Sequence, residues 1–292
     1  MKIGVDLGGS HIAVGVVSEN GKILAQIEEN ILFIEQKDIK ELIRDKTISL
    51  INLAINKLQI PIFTIEKIGI GIPGIVENNK IKSCMKYGIE EWDLAKELKG
   101  IFNINVQLVN DAYASAKCEK EYGALKDSNK SVFMCIGTGI GGATILESNI
   151  FPSEFGHMVI QKDGKKCYCG KKGCFELYAS MYVFKKDLIE LLGLNSKTTS
   201  EELQKILENE KDNITISKYI DEYIEHLLIG ISNIVNIIAP EKICIGGSFT
   251  YFKNSLYYKL IEKSKTYKYQ FQVPKIVLAE YGNDSGIIGA AM

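Results

Sequence analysis

The sequence is nearly devoid of arginine: Arg44 is the single arginine among 35 lysine and arginine residues. A chain this poor in guanidinium groups can form few bidentate arginine clamps on phosphate. Any phosphate would therefore be held mainly by backbone N–H groups, by lysine or by a metal ion. The formal net charge is −1, so no overall field attracts nucleic acid or an anionic membrane, and we expect neither as a partner.

Long apolar runs are also missing from the sequence. The chain opens with "MKIGVDLGGS", which predicts a strand followed by a glycine turn and contains neither an export signal nor a membrane span. We therefore expect a cytoplasmic protein with reduced thiols. No low-complexity tract or proline- and serine-rich linker interrupts the 292 residues, which suffice for two ordinary domains or one large one.

The seven cysteines are an odd number and are unevenly spread. Four lie singly in apolar surroundings, where we interpret them as small buried side chains: Cys84, Cys118, Cys135 and Cys244. The other three fall within "EFGHMVIQKDGKKCYCGKKGCFELYAS", residues 154–180, together with a histidine and two glutamates. This segment could be a metal site, a disulfide knot or a catalytic centre.

A structural zinc site explains this segment better than the alternatives. One imidazole and three thiolates make a complete tetrahedral set, from His157, Cys167, Cys169 and Cys174. Disulfides are disfavoured in the cytoplasm, and the intervening lysine, tyrosine and glycine residues argue against a chance cluster of buried cysteines. Gly170 and Gly173 would let the chain turn around an ion. A site with four protein ligands has no open position, so this zinc should organise the loop rather than do chemistry.

Two glutamates flank the predicted zinc ligands. Glu154 lies three residues before His157, and Glu176 lies two residues after Cys174. Either carboxylate could simply be solvated. Beside a rigid metal loop, however, two carboxylates and the second ring nitrogen of His157 would form a preformed set of hydrogen-bond partners for a polyol. The segment therefore predicts a sugar pocket shaped by an ion.

Strands and helices alternate along the chain, which predicts an α/β protein. The strand–glycine–strand pattern of the N-terminus recurs in "SVFMCIGTGIGGATIL", residues 131–146, as if the fold consisted of two related halves. We expect an N-terminal α/β lobe at 1–110 and a second lobe at 111–283 that contains the zinc loop. A C-terminal helix at 284–292 could return to the first lobe.

Three glycine turns follow predicted strands: "DLGGSH" at 6–11, "GTGIGG" at 137–142 and "IGGSF" at 245–249. One such turn is a weak signal, because glycine is common in any tight turn. "GTGIGG" satisfies the dinucleotide-binding pattern GxGxxG, but an apolar strand rather than a helix follows it. Hairpin turns with exposed N–H groups can hold phosphate without arginine, and Asp6 could hold Mg²⁺ through water.

A further carboxylate stands in "VNDAYASA", residues 109–116, where a predicted strand gives way to a helix. Asp111 could be the helix N-cap. The alternative is a general base, because phosphoryl transfer to a sugar needs a group that accepts the proton of the attacking hydroxyl.

Taken together, the motifs resemble the ROK family of sugar kinases and sugar-responsive repressors. They occur in the family's order over almost the whole chain: "DLGGSHIAVGVV", "GIPG", "VNDAYASA", "GTGIGGA", "EFGHMVI", "CYCGKKGCFELYAS", "VNIIAPEKICIGGSF" and "NDSGIIGAA". The resemblance implies a two-lobed, actin-like (ribonuclease-H-like) α/β fold, with the zinc-binding loop in the larger lobe and a cleft between the lobes. It also implies ATP and Mg²⁺ as cofactors and suggests a homodimer.

The resemblance implies a role for each matching residue. Contacts to ATP and its phosphates are implied at Asp6, Gly8, Gly9, Thr138, Gly139, Gly246 and Gly247. Asp111 matches the catalytic base, and sugar contacts are implied at Asn110, Glu154, His157 and Glu176. The zinc ligands match those already inferred from the residues, namely His157, Cys167, Cys169 and Cys174.

The implied function is ATP-dependent phosphorylation of the 6-hydroxyl of a hexose, with glucose as the first expectation. Two segments depart from the family pattern: 144–153 is shorter than usual, and 77–94 lacks the usual Asn-Pro or Asn-Leu. Both approach the sugar in relatives, so N-acetylmannosamine, N-acetylglucosamine, allose and fructose stay as alternative substrates.

Two other classes of function are weighed against a kinase. Sugar-responsive regulators of this family carry a helix-turn-helix before the first glycine motif, which here begins at residue 6, so we expect no DNA-binding headpiece. A non-catalytic sugar-binding protein is the other alternative, although Asp6, Asp111 and the glycine turns are all present.

Overall fold

The computed structural model describes residues 1–8, 11–30, 38–210 and 213–292. These residues divide into two compact units, Met1–Lys126 with Asn283–Met292, and Asp127–Gly282. The first unit continues past residue 110 because helix α3 (Asp111–Glu121) packs closely against the C-terminal helix α9 (Asp284–Ala291). None of the helices in the described ranges is both long and apolar enough to cross a membrane.

The first unit is built on a five-stranded sheet in the order β3-β2-β1-β4-β8. Its strands are Lys2–Leu7 (β1), His11–Val17 (β2), Ile23–Asn30 (β3), Lys67–Ile72 (β4) and Asn105–Asn110 (β8). The first three strands are antiparallel neighbours, whereas β1, β4 and β8 run parallel. Two further helices belong to this unit, Ile39–Leu58 (α1) and Leu94–Phe102 (α2).

Glycines let the C-terminal helix approach this sheet closely. A Cβ added to Gly4 in β1 would lie 1.8 Å from the carbonyl oxygen of Ile287, and one on Gly69 in β4 would lie 1.8 Å from that of Ala290. Real Cβ atoms do not approach an oxygen so closely, so only glycine fits at either position. The α9 backbone therefore packs directly on the sheet and becomes part of the first unit.

A small antiparallel sheet occupies the segment that departs from the family pattern. Its strands are Ile75–Glu77 (β5), Lys80–Cys84 (β6) and Ile89–Trp92 (β7), in that order. The side-chain amide of Asn79 fixes this sheet to strand β8: Nδ2 donates to the carbonyl of Val106 at 2.9 Å, and Oδ1 accepts from the N–H of Leu108 at 2.7 Å.

The second unit repeats the sheet of the first. Its strands, in the order β11-β10-β9-β12-β13, are Lys130–Ile136 (β9), Ile140–Leu146 (β10), Asn149–Pro152 (β11), Lys242–Gly246 (β12) and Lys275–Leu278 (β13). As in the first sheet, three strands are antiparallel neighbours, here β11, β10 and β9, and three run parallel, here β9, β12 and β13. The repetition expected from the glycine turns is thus present in the order and direction of the strands.

The helices of the second unit cover a large apolar core. They are Glu176–Ala179 (α4), Met181–Leu191 (α5), Ser200–Asn209 (α6), Ile214–Ile238 (α7) and Tyr258–Thr266 (α8). Isoleucine and leucine recur every three or four residues along α7, so one face of this helix is buried against the sheet and α5. The side chain of Asn213 caps α7 by accepting from the N–H groups of Thr215 and Ile216.

Candidate functional site

Asp6 and Asp111 lie at one edge of the sheet in the first unit. Asp6 pairs with Gly71 in the β1–β4 ladder, and Asp111 directly follows the last residue of β8. A Cβ on Gly71 would lie 3.4 Å from the Cα of Asp111, so the two strand ends are adjacent. The carboxyl ends of parallel strands are where open α/β sheets usually bind ligands.

The cap of helix α3 is Asn110 rather than Asp111. Oδ1 of Asn110 accepts from the N–H of Tyr113 at 3.0 Å, and Nδ2 donates to the carbonyl of Gly74 at 3.1 Å. Asp111 occupies the first helical position, where Oδ1 accepts from the N–H of Ala112 at 2.7 Å and the helix dipole favours a carboxylate. The structure therefore gives the capping role to Asn110. Both ends of its amide group are used, one in the cap of α3 and one in the bond to Gly74 after β4.

The carboxyl group of Asp6 is electrostatically unusual. Burial, and then the negative charges of Asp111 and Glu28, raise its pKa from 3.8 to about 7. A cation near Asp6 would reverse this effect, because it favours the ionised carboxylate. The first unit therefore carries two neighbouring carboxylates that gain from a divalent ion with oxygen ligands.

Without Mg²⁺ and nucleotide, replacing Asp6 with asparagine should stabilise the protein at neutral pH. The folded pKa lies above the unfolded value, so between about pH 4 and pH 7 the unfolded state binds fewer protons and the free energy of unfolding falls as the pH rises. Asp6→Asn removes this loss, and we expect a gain of about 1–3 kcal/mol at pH 8 that vanishes near pH 4. Denaturant titrations of both proteins at several pH values measure the difference. A difference that does not change with pH would contradict the assignment.

Both backbone groups of Gly8 are engaged, and its N–H donates to the carbonyl of His11 at 2.9 Å. A Cβ on Gly8 would lie 2.5 Å from the imidazole of His11, so a side chain here would displace that ring. The carbonyl of Gly8 accepts from the hydroxyl of Tyr87. Gly8 therefore shapes its turn but does not offer its own N–H to a phosphate. Gly9, for which a phosphate contact was also expected, lies outside the described residues.

The second glycine turn, which includes Thr138 and Gly139, joins β9 to β10 in the second unit. The N–H of Gly137 donates to the carbonyl of Gly139 at 2.9 Å, and the N–H of Met181, at the start of α5, donates to the carbonyl of Gly137 at 2.9 Å. A Cβ on Gly139 would lie 2.7 Å from Oε2 of Glu176. This expected phosphate turn therefore lies directly against one of the carboxylates that were expected to bind sugar.

The third glycine turn follows β12 in the same unit. Gly246 ends that strand, and Gly247 has a φ of 75°, a conformation that L side chains rarely adopt. A Cβ on Gly247 would lie 2.6 Å from the carbonyl oxygen of Ile136, at the end of β9. The second and third glycine turns are therefore close together at the ends of β9 and β12.

The structure brings together the four expected zinc ligands. One ligand atom from each of His157, Cys167, Cys169 and Cys174 lies within 4.8 Å of all the others. Sγ of Cys167 is 3.7 Å from Nδ1 of His157, and Sγ of Cys169 is 3.6 Å from Sγ of Cys174. Tetrahedral zinc with bonds of about 2.0–2.3 Å separates its ligand atoms by about 3.5–3.8 Å. The donor set fits a zinc ion, and the His157–Cys167 and Cys169–Cys174 distances match this spacing.

Backbone hydrogen bonds hold the loop that carries the three cysteines. The N–H of Cys167 donates to the carbonyl of Lys171 at 2.9 Å, and the N–H of Gly173 donates to that of Lys165 at 2.8 Å. Gly173 has a φ of 78°, and a Cβ there would lie 1.7 Å from the carbonyl oxygen of Gln161. Only glycine fits at this turn, which places the thiol of Cys174 beside the other ligands.

Glu176 links this cluster to the glycine turn. Its Oε1 lies 3.5 Å from Nδ1 of His157 and 3.5 Å from Sγ of Cys167, while Oε2 faces Gly139. The side chain is nearly buried, with a residue exposure of 8%. The carboxylate is thus positioned by the cluster on one side and by the turn on the other.

Tyr168, which the sequence did not single out, contacts the same group of side chains. Its hydroxyl lies 3.3 Å from Nε2 of His157, the ring nitrogen that faces away from Cys167, and the residue as a whole is 65% exposed. Glu154 is itself exposed, just before the short helical turn that carries His157. The three residues of the second unit that were expected to bind sugar therefore lie near one another, with Tyr168 beside them.

The sequence pattern of the ROK family matches residues 2–292. The chain belongs to the ROK family. The xylose repressor of Bacillus spizizenii is 30% identical over 253 residues, which cover 84% of this chain but only 64% of the repressor. The glucokinase of Thermotoga maritima is 28% identical over 313 residues. The alignment covers 99% of this chain and 95% of that glucokinase.

A solved structure shows the fold of this ROK protein independently. The ROK family glucokinase of Streptomyces griseus, crystallised in complex with glucose and AMPPNP, superimposes with a TM-score of 0.83 over 99% of this chain and 97% of its own. At 24% identity the likeness shows the fold alone. The expected α/β fold of the actin-like type is confirmed, and so is membership of a family that contains both sugar kinases and repressors.

Proposed function

We propose that this ROK protein is an ATP-dependent sugar kinase that phosphorylates the 6-hydroxyl of a hexose, most directly glucose. The observation that carries the proposal is the position of Glu176, between the cysteine cluster and the glycine turn at Gly139. A kinase must bring a sugar next to the phosphate it receives, and a carboxylate placed between these two groups serves that requirement. The glucokinase relative and the glucokinase structure with glucose and AMPPNP support the same activity.

In the proposed reaction, Asp111 accepts the proton of the sugar hydroxyl while the hydroxyl oxygen forms a bond to the γ-phosphorus of ATP. The bond from phosphorus to the bridging oxygen breaks, and ADP leaves with that oxygen. Asp6 is the residue that would hold Mg²⁺ through water, and the ion supplies charge neutralisation for the phosphates. Glu154, His157 and Glu176 orient the sugar hydroxyls. The glycine turns at Thr138–Gly139 and Gly246–Gly247 hold the nucleotide.

We also propose that the cluster of His157, Cys167, Cys169 and Cys174 holds a structural zinc ion. Nδ1 of His157 faces Cys167 and Glu176, which leaves Nε2 on the side of Tyr168. Zinc would fix the ring plane of His157 and the position of Glu176 without an open coordination position. A homodimer stays a prediction from the family resemblance.

Replacing Tyr168 with phenylalanine should tighten sugar binding. The sugar hydroxyl that bonds to Nε2 of His157 must displace the tyrosine hydroxyl, which lies at 3.3 Å. Removing that competitor should lower the KM for the sugar by about 2- to 10-fold, which corresponds to the net free energy of one hydrogen bond. The kcat should be unchanged. Initial rates at varied sugar and saturating ATP give both constants. A higher KM would mean that the hydroxyl itself binds sugar, contrary to this assignment.

A coupled assay of ADP release across glucose, N-acetylmannosamine, N-acetylglucosamine, allose and fructose tests the proposed function. We expect saturable, sugar-dependent ADP formation with at least one hexose, and identification of the phosphorylated product by NMR fixes the position of transfer.

The xylose repressor relative favours a second candidate, a sugar-responsive regulator. This chain spans 64% of that repressor's length, so the activity of the whole repressor is not carried over. A regulator or a non-catalytic binding protein would bind a sugar in equilibrium titrations but release no ADP in the coupled assay.

A further inference from the structure

A tyrosine in the small sheet contacts the first glycine turn. Met85–Tyr87 forms a short 3₁₀ turn between β6 and β7, and Gly88 ends it with a φ of 63°. The hydroxyl of Tyr87 donates to the carbonyl of Gly8, 79 positions away in the sequence. The side chain is largely buried, with a residue exposure of 8%. This contact joins the segment that departs from the family pattern to the turn expected to hold phosphate.

The turn that carries Tyr87 is itself firmly held within the first unit. Sγ of Cys84 donates to the carbonyl of Pro73 at 3.2 Å, and Cys84 pairs with Ile89 across β6 and β7. Gly74 lies so close to this strand that a Cβ would be 2.4 Å from the carbonyl oxygen of Ser83. The amide of Asn110 donates to Gly74, so the same contacts that support Tyr87 reach the residue before Asp111.

The phenol is kept in its donor form by its surroundings. Burial raises its pKa, and the charges of Asp111 and Asp6 raise it further. The neutral hydroxyl is therefore a hydrogen-bond donor, and its acceptor is the Gly8 carbonyl. The hydrogen bond therefore persists at any pH at which a kinase of this type would work.

From these contacts we infer that Tyr87 is a positioning residue for phosphoryl transfer, because its hydroxyl fixes the carbonyl of Gly8, and with it the end of β1 that carries Asp6, relative to Asp111. This inference rests on the proposed kinase function. Gly8 is held on both sides, by the carbonyl of His11 and by the phenol of Tyr87.

The effect of losing this contact should fall on ATP rather than on sugar. Small displacements of a reacting group can cost up to about 10²-fold in rate even when the chemistry is intact. The residues proposed to recognise the sugar, Glu154, His157 and Glu176, belong to the second unit. Tyr87 belongs to the first unit and is not one of these sugar contacts. A residue that only supported the fold would instead lower stability and affect both substrates alike.

Tyr87→Phe, which keeps the ring and removes only the hydroxyl, tests the inference. We expect kcat/KM for ATP to fall by about 10- to 100-fold, with the equilibrium affinity for the sugar within about 2-fold of wild type. Hydrogen–deuterium exchange of the peptide that covers β1 and Gly8 should be faster in the variant. Tyr122→Phe, in the same unit at the end of α3, serves as the matched control and should leave all three measurements unchanged.

The outcomes separate the inference from the function on which it rests. If the wild-type protein phosphorylates no sugar, the proposed function fails before the variant is assayed. If the wild type is active and Tyr87→Phe matches it in kcat/KM for ATP and in exchange, the inference is wrong and the kinase assignment stands. Equal losses in ATP and sugar affinity, with a lower melting temperature, would also overturn the inference, because they indicate a general defect in folding.

Discussion

Replacing Asp111 with asparagine should lower kcat by about 10²- to 10⁴-fold, which is the usual contribution of a positioned general base. Asparagine can still accept the hydrogen bond that Oδ1 of Asp111 takes from the N–H of Ala112, so helix α3 should begin in the same way. The sugar contacts proposed for the second unit are unchanged, and the sugar KM should stay within about 3-fold of wild type. Steady-state kinetics with the best sugar of the panel measure both effects.

Glu121→Gln is the matched control for this variant. It removes one carboxylate from the exposed C-terminal end of the same helix. We expect wild-type kinetics for Glu121→Gln and wild-type melting temperatures for both proteins. Near-normal turnover by Asp111→Asn would mean that another group accepts the proton or that no such proton transfer limits the rate.

Replacing Cys174 with serine should remove both the bound zinc and the sugar kinase activity. The variant loses one of three thiolates, so the remaining set can no longer enclose the ion, and His157 and Glu176 lose their common support. We expect the zinc content to fall from about one ion per chain to a small fraction, and kcat/KM for the sugar to fall by at least about 10-fold, as is usual for lost metal-site support. Elemental analysis and sugar-dependent ADP release measure the two effects.

Cys244→Ala is the control for the loss of a buried cysteine. Cys244 lies in β12 of the same unit, is fully buried and does not belong to the cluster. Its replacement should cost some stability through lost packing and leave zinc content and sugar KM unchanged. Full zinc occupancy in Cys174→Ser, or activity equal to wild type without zinc, would contradict the role given to the cluster.

The sequence predicted the parts of the fold that follow from periodicity. Alternating strands and helices indicated an α/β protein, and the recurring strand–glycine–strand pattern indicated two similar sheets, which the strand orders confirm. The small sheet β5-β6-β7 was not predicted. Its strands have three to five residues and mix lysine, glutamate and serine with isolated apolar residues, so no period is visible, and its contacts with β8 are tertiary.

The proximity of His157, Cys167, Cys169 and Cys174 was predictable because chemistry restricts which residues bind zinc and how they are spaced. The proximity of Glu176 to Gly139 was not predictable, because 36 intervening residues fold back to bring them together. Tyr168 and Tyr87 were missed for a different reason. A tyrosine is common anywhere, and only contacts with His157 and Gly8 distinguish these two. The position of Tyr168 between two zinc ligands was the one signal that the sequence offered.

We expect the choice of sugar to depend on the two segments in which the sequence departs from its family pattern. One forms the small sheet that carries Tyr87, and the other is the short hairpin between β10 and β11, whose strands are joined at Glu147 and Ser148. Neither resembles the family pattern closely enough to transfer a substrate. The sugar panel therefore carries information that similarity to relatives does not.

The most direct test of the account is X-ray absorption at the zinc edge on the purified wild-type protein. The account predicts about one zinc ion per chain, surrounded by three sulfur atoms at about 2.3 Å and one nitrogen atom at about 2.0 Å. Such a shell would place His157 and Glu176 as the sugar site requires. A protein without stoichiometric zinc, or with a shell composed mainly of oxygen, would contradict the claim that this ion organises the site.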